Sequence, residues 1–421
     1  MSKNSYPNSN NIIKHIMSNG IVVLVYENPH SKTVMLEGAV WAGAAGEARA
    51  QAGLASMTAS GLMRGTLNRS FEQIYAELEA VGATVGFASG YQMTEFSADS
   101  LTEDLDLVLD IAVDCLRNPT FPAAEIEKVR AEKMTRLYMR QNDTRSMAQL
   151  NFRKTLFDGH PYGQSPSGYL DSVPTIGRDD LATFATANYA PNDAVIVLVG
   201  NIKPADAIAK LEAKLGDWNN PTYQKLSALP DAQRPTEMVR LHHPLADKTQ
   251  SDLVFGLPGP RRSVPDYMDA RLANNILGVF GMMGRLGANV RVKQGLAYYA
   301  RSVLSGGLGP SPWYVSTGVS PDKVEQALQS SRDEIRRMQD ELVSAEELAD
   351  TKAYLTGSVP MTLESNGGIA GTLFNMEVYG LGLDYLINYN DLVNGVTREK
   401  IQAAAQKYFS ADEVVVSVAG P

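Results

Sequence analysis

The side chains best able to do chemistry in this sequence are few, and the histidines come first. Five occur: His15, His30, His160, His242 and His243. Two imidazoles four residues apart share one helix face and can grip a single divalent ion, and a glutamate between them reaches the water on that ion. No two of the five lie four apart with a glutamate alongside. Cys115, in LDIAVDCL, is the single cysteine and reads as a small buried apolar residue, so an internal disulfide framework is excluded. No Ser/His/Asp or Cys/His arrangement marks a nucleophilic centre. Two further segments hold the remaining candidates. GLASMTASGLMRGT (Gly53–Thr66) contains Ser56, Ala59 and Ser60, small residues that suit a packed helix. ILGVFGMMGRLGANVRVKQGLAYYARSV (Ile276–Val303) contains Arg285, Arg291 and Tyr298. Taken alone, Arg291 reads as a solvated helix residue and Tyr298 as a core aromatic on the strand that follows.

The elements that must carry these residues come from a chain written twice. IGRDDLATFATANYAPNDAVIVLVGNI (Ile176–Ile202) and VTREKIQAAAQKYFSADEVVVSVAGP (Val396–Pro421) each give a capped amphipathic helix, an aromatic turn and a β-branched strand ending at glycine. SLTEDLDLVLDIAVDCL (Ser100–Leu116) pairs in the same order with SPDKVEQALQSSRDEIRRM (Ser320–Met338), each behind a strand-like stretch. The copies are offset by about 219 residues. The segment between them is rich in Pro, Asn and polar residues, as a linker is. The reading is therefore an N-terminal domain over 1–217, a linker over 218–237 and a homologous C-terminal domain over 238–421. Hairpin-like strand pairs without strict βαβ alternation predict an α+β fold, each domain a mostly antiparallel sheet covered by helices. A length of 421 residues, beyond one hydrophobic core, agrees with two domains.

Composition removes several function classes. The net charge is −9 and no Lys/Arg tract forms an electrostatic footprint, which excludes nucleic acid as the partner. No run approaches about eighteen apolar residues, so no membrane span is expected. The polar, Asn-rich start lacks the apolar stretch of a secretory signal, and the lone cysteine suits a reducing compartment. A cytoplasmic location is expected, with the periplasm as the other compartment the sequence allows.

GLASMTASGLMRGT resembles the zinc-site helix of the pitrilysin/insulinase family, to which mitochondrial processing peptidases belong. That family writes it as roughly G-L-A-H-x-x-E-H-x-L-x-x-G-T, an inverted zinc motif. Gly53, Leu54, Ala55, Leu62, Gly65 and Thr66 match in register. The chemical positions do not: Ser56 and Ser60 stand where the two histidines would be, and Ala59 where the general-base glutamate would be. The family's third ligand, a glutamate about seventy-five residues on, falls at Arg136 in FPAAEIEKVRAEKMTRL. A serine hydroxyl is a poor zinc ligand, alanine is none, and a guanidinium adds a permanent cation. No zinc or other cofactor is expected in this chain.

The second segment resembles the family's L-G-G-x-x-S-x-R-L-x-x-x-x-R-x-x-x-G-L-A-Y stretch. Arg285, Leu286, Arg291, Gly295, Leu296, Ala297 and Tyr298 fit without gaps. The resemblance implies that Arg291 positions a peptide backbone and that Tyr298 helps to stabilise the oxyanion, whereas Arg285 suits a structural ion pair equally well. GAVWAGAAGE (Gly38–Glu47) lies where family members bind peptide by strand addition, although a plain sheet strand serves as well. SGGLGPSP (Ser305–Pro312) reads as a hairpin loop and HPYG at His160 as a structural turn. The implied function is the non-metal subunit of a heterodimeric zinc peptidase acting on short or unfolded peptides. Arg291 and Tyr298 would then act in trans, with zinc in a homologous partner subunit. A homodimer could replace the natural pair in isolation. The rival is an inactive paralogue that serves as a scaffold or peptide-binding protein.

Overall fold

The computed structural model describes residues 6–226, 229–280 and 282–421. The β-branched and apolar runs of the first repeat form β1 (Ile12–Ile16), β2 (Val22–Glu27), β3 (Thr33–Val40), β4 (Thr84–Ser89), β5 (Thr94–Leu101) and β6 (Val195–Gly200). They make one sheet in the order β1-β2-β6-β3-β5-β4, antiparallel except between β2 and β6. The second sheet contains β7 (Val239–Pro244), β8 (Ser251–Pro258), β9 (Ala297–Leu304), β10 (Pro312–Val319) and β11 (Val415–Gly420). Its order is β7-β11-β8-β10-β9, and only β7 and β11 run parallel. With β1 set aside, the two sheets have one topology. The repeat in the sequence is a repeat of structure, and the fold is two-domain α+β.

The α-helices, in chain order, are α1 (Leu54–Gly61), α2 (Phe71–Ala80), α3 (Leu105–Arg117), α4 (Ala123–Gln141), α5 (Thr144–Leu156), α6 (Arg178–Asn188), α7 (Pro204–Leu215), α8 (Tyr267–Asn274), α9 (Val324–Asp340), α10 (Ala345–Thr362), α11 (Asn366–Val378), α12 (Tyr385–Asn394) and α13 (Arg398–Tyr408). Their starts are written locally. Ser70 and Gln73 form a reciprocal capping box on α2, while Asp143, Ser365 and Thr397 cap α5, α11 and α13 through their side-chain oxygens. The turn into α1 needs Gly53, whose φ is +102° and whose Cα side lies against Gly168, where a Cβ would come within 3.0 Å.

Packing divides the chain differently from the repeat. One compact unit is Met1–Leu137, Ser165–Ala228 and Val359–Ile387; the other is Tyr138–Gln164, Leu229–Ser358 and Asn388–Pro421. The expected boundaries at 217 and 238 mark the sequence copies, but each copy gives a helix to the other unit. Helix α5 packs on β8 and β11, and α11 on β3 and β6. The physical reason is coverage. Strands β6, β8 and β11 are buried along their whole length, so both faces of those strands need cover.

Strand β3 is hydrogen-bonded to β5 on one side and β6 on the other. Within the Gly38–Glu47 stretch, Gly38 and Ala39 are paired on both sides and so behave as plain sheet strand, whereas Trp41–Glu47 lie beyond the end of β3. The open edges of this sheet are β1 and β4.

Candidate functional site

Helix α1 carries Ser56 and Ser60 one turn apart, and both are half-buried, while Ala59 between them is buried. The Ser60 hydroxyl donates to the Ser56 carbonyl at 2.9 Å. The cation that reaches this helix is Lys133 of α4, whose ammonium donates to the Ser56 hydroxyl at 2.6 Å. Lys133 is only 6 % exposed. Arg136, one turn further along α4, is exposed. The side chain facing the former metal helix is thus one turn earlier than the gap-free count places it.

Glu47 completes the cluster. Its carboxylate accepts from the Gly53 and Ala55 amides at 2.9 and 2.6 Å, tying the loop before α1 to the helix start. Burial pushes its pKa up to about 7, although those two amides and the charge of Lys133 act in the opposite direction. Burial pulls Lys133 down to about 8, and the Arg136 charge adds to that, while Glu47 and Glu132 oppose it.

The other candidates belong to the second unit. The chain from Gly287 to Lys293 is wound as a wide π-type turn, in which the Gln294 amide reaches back to the Asn289 carbonyl at 3.0 Å. Asn289 is held by Glu334 at 2.6 Å. Gly295, at φ +62°, ends the turn and leads into β9. The β9–β10 register slips between Gly318 and Val319, which pair with Tyr299 and Ala297. Tyr298 is the extra residue of that bulge and lies 78 % exposed. It is not a core aromatic. The Arg291 guanidinium lies over its ring, 5.5 Å from the centre.

Arg285 makes a different contact. It is 9 % exposed and forms a two-pronged ion pair with Glu347 on α10, at 2.6 and 3.0 Å. His160 is also structural: buried, it accepts from the Tyr162 amide at 3.0 Å and lies 3.1 Å from the Pro230 carbonyl oxygen. Cys115 is buried beside Met63, and burial raises its thiol to about 12.

Two family profiles match. The one described as insulinase (peptidase family M16) covers residues 22–168, and the one described as peptidase M16 inactive domain covers residues 175–355. The chain belongs to peptidase family M16. An M16 inactive-domain structure from Pseudomonas fluorescens is 26% identical, with a TM-score of 0.90 over 98% of both chains. Among sequence relatives, an uncharacterized zinc protease of Streptomyces coelicolor is 26% identical over 75% of this chain and 70% of its own. A non-peptidase homolog of Helicobacter pylori is 25% identical over 76% of each.

This M16 chain does not fit the family's metal. Around α1 it offers two hydroxyls, a methyl group, a buried ammonium and one carboxylate, that of Glu47, whose oxygens already accept from the Gly53 and Ala55 amides, and this set does not make a zinc site. Among the described residues no group of three or more His, Cys, Asp or Glu side chains is arranged to hold an ion. In this M16 member Ser56, Ala59 and Ser60 stand at the places of the family's metal motif. Also among the described residues, no helix is long and apolar enough to cross a membrane. Lys133 and Glu47 escape a motif search, yet Lys133 had a signal. It occupies the apolar stripe Ile126, Val129, Leu137 of α4, where a solvated lysine does not belong.

Proposed function

We propose that this chain is the non-metal subunit of a two-chain zinc peptidase, supplying Arg291 and Tyr298 to a homologous subunit that carries the zinc. The observation that carries this reading is the pairing of the two side chains. A phenol lifted out of β9 by a bulge, with a guanidinium over its ring, is dressed for a ligand and not for a core. A guanidinium can hold peptide carbonyls with fixed donors, and a phenolic hydroxyl can donate to an oxygen that gains charge. Peptides in extended or unfolded form are the substrate class that such backbone contacts select. The peptidase and non-peptidase names of the relatives support a family in which members with and without the metal exist.

The test mixes this chain with a homologous subunit that carries an intact H-x-x-E-H motif and follows cleavage of a quenched fluorescent peptide. Each chain alone is expected to give negligible turnover, and the mixture to give chelator-sensitive turnover. A mixture no faster than the zinc chain alone would favour the other reading, an inactive paralogue that binds peptides or stabilises a complex.

A further inference from the structure

We propose that Ser56 and Lys133 form a metal-independent acyl-accepting pair, a reactive serine built where the family's zinc helix has lost its ligands. Three observations converge on it. The Ser56 hydroxyl and the Lys133 amine are in direct hydrogen-bond contact at 2.6 Å. Lys133 is inside the protein, on a face of α4 otherwise lined by Ile126, Val129 and Leu137. Ser56 itself keeps part of its surface open to solvent, whereas the Lys133 side chain is shielded.

The chemistry follows from that arrangement. A serine hydroxyl is a weak nucleophile until a neighbouring base takes its proton, and a lysine serves as that base once it is neutral. The groups that set its charge are Glu47 before α1, and Glu132 and Arg136 on α4 itself. Burial with Arg136 outweighs the two carboxylates, so neutral Lys133 becomes available near pH 8. In the reaction the Ser56 oxygen bonds to the acyl carbon while its proton moves to the Lys133 nitrogen. The bond from that carbon to the leaving group then breaks, and the leaving heteroatom takes the proton back from Lys133. No metal, oxidant or reductant enters.

The structure also limits the rate. The Gly53 and Ala55 amides at the start of α1, obvious donors for an oxyanion, are already engaged by Glu47. The substrate class is therefore activated acyl and phosphonyl compounds, with slow stoichiometric transfer rather than peptide turnover.

The experiment uses the full chain alone, in chelator, with a fluorophosphonate probe between pH 6 and 10, read by intact mass and peptide mapping. Without zinc or a partner chain, its outcome is independent of the two-subunit reading. One adduct, on Ser56, is expected, with a rate that climbs through an inflection near pH 8. Lys133→Met should slow it by about a hundredfold or more, the usual loss of a general base. Ser56→Ala should abolish it. The proposal is overturned by an unlabelled Ser56 at pH 9, or by an undiminished rate in a Lys133→Met protein that circular dichroism shows to be folded. If that variant does not fold, the wild-type profile decides, since a rate without an inflection near pH 8 overturns the pair as well.

Discussion

Tyr299 donates its hydroxyl to Asp252, a carboxylate only 1 % exposed. Thr144 and Gln250 donate to the other oxygen of Asp252 at 2.6 and 3.0 Å, and Arg145 lies over the Tyr299 ring at 4.0 Å. Burial and Asp252 together raise the Tyr299 pKa to about 12, so the hydroxyl keeps its proton as a donor. This bond pins β9 with Tyr299 inward, and the bulge turns its neighbour Tyr298 out. Tyr299→Phe leaves one buried carboxylate oxygen without its close donor. It should cost about 1–3 kcal/mol in urea denaturation and should lower activity of the mixed subunits without touching substrate.

Tyr298 itself contributes little to folding, since most of its surface faces solvent. Tyr298→Phe should leave stability within about 0.5 kcal/mol of the wild type. Arg291→Ala and Tyr298→Phe should each lower kcat of the mixture by about one to three decades, which steady-state peptide cleavage would measure. Unchanged kcat in both would leave the pair without a catalytic role.

The Glu47 carboxyl gives the first unit a pH signature. Its folded pKa of about 7 exceeds its ordinary 4.5, so the folded state binds that proton more tightly. The associated stability is full below about pH 4.5 and is lost as pH rises through about 7. The change is about 3 kcal/mol. Lys133, lowered from 10.5 to about 8, acts in the other window: its contribution is full above pH 10.5 and is lost as pH falls through about 8. Denaturation at pH 5 and pH 7 should show the first loss in the wild type and not in Glu47→Gln.

Arg285 and Glu347 make a pair that one-sided truncation exposes. Glu347→Ala strands a nearly buried guanidinium and should destabilise the protein by about 3 kcal/mol. Arg285→Met with Glu347→Leu removes both charges and should cost less. Thermal melts of the single and double variants check this, and equal losses would argue against burial as the cause.

The buried ammonium also forecasts how hard a metal site is to restore. Ser56→His with Ser60→His places two imidazoles on one face of α1, but Lys133 stays 2.6 Å from the original hydroxyl position. Adding Lys133→Met should raise zinc affinity of that double variant by at least about tenfold, measured by competition with a chromophoric chelator. Equal affinities would show that the ammonium does not oppose the ion.

Much of this protein was legible without coordinates because it depends on residues close in sequence. The period-two and helical patterns around Tyr189 and Tyr408, repeated about 219 residues apart, announced two copies of one α+β unit. That Ser56, Ala59 and Ser60 stand within flanks matching the family's metal motif was legible too, since ligand identity is a local property. Three decisions belonged to tertiary structure. Helices α5 and α11 were traded between units because whole-length burial of β6, β8 and β11 demanded cover, and local sequence does not say which sheet a helix will cover. Tyr298 rather than Tyr299 faced outward because of a bulge, and a slip of one residue in pairing reverses every side chain beyond it. Lys133 rather than Arg136 met Ser56 because contact across two helices depends on their rotation, while a count along the chain fixes position only to within a turn.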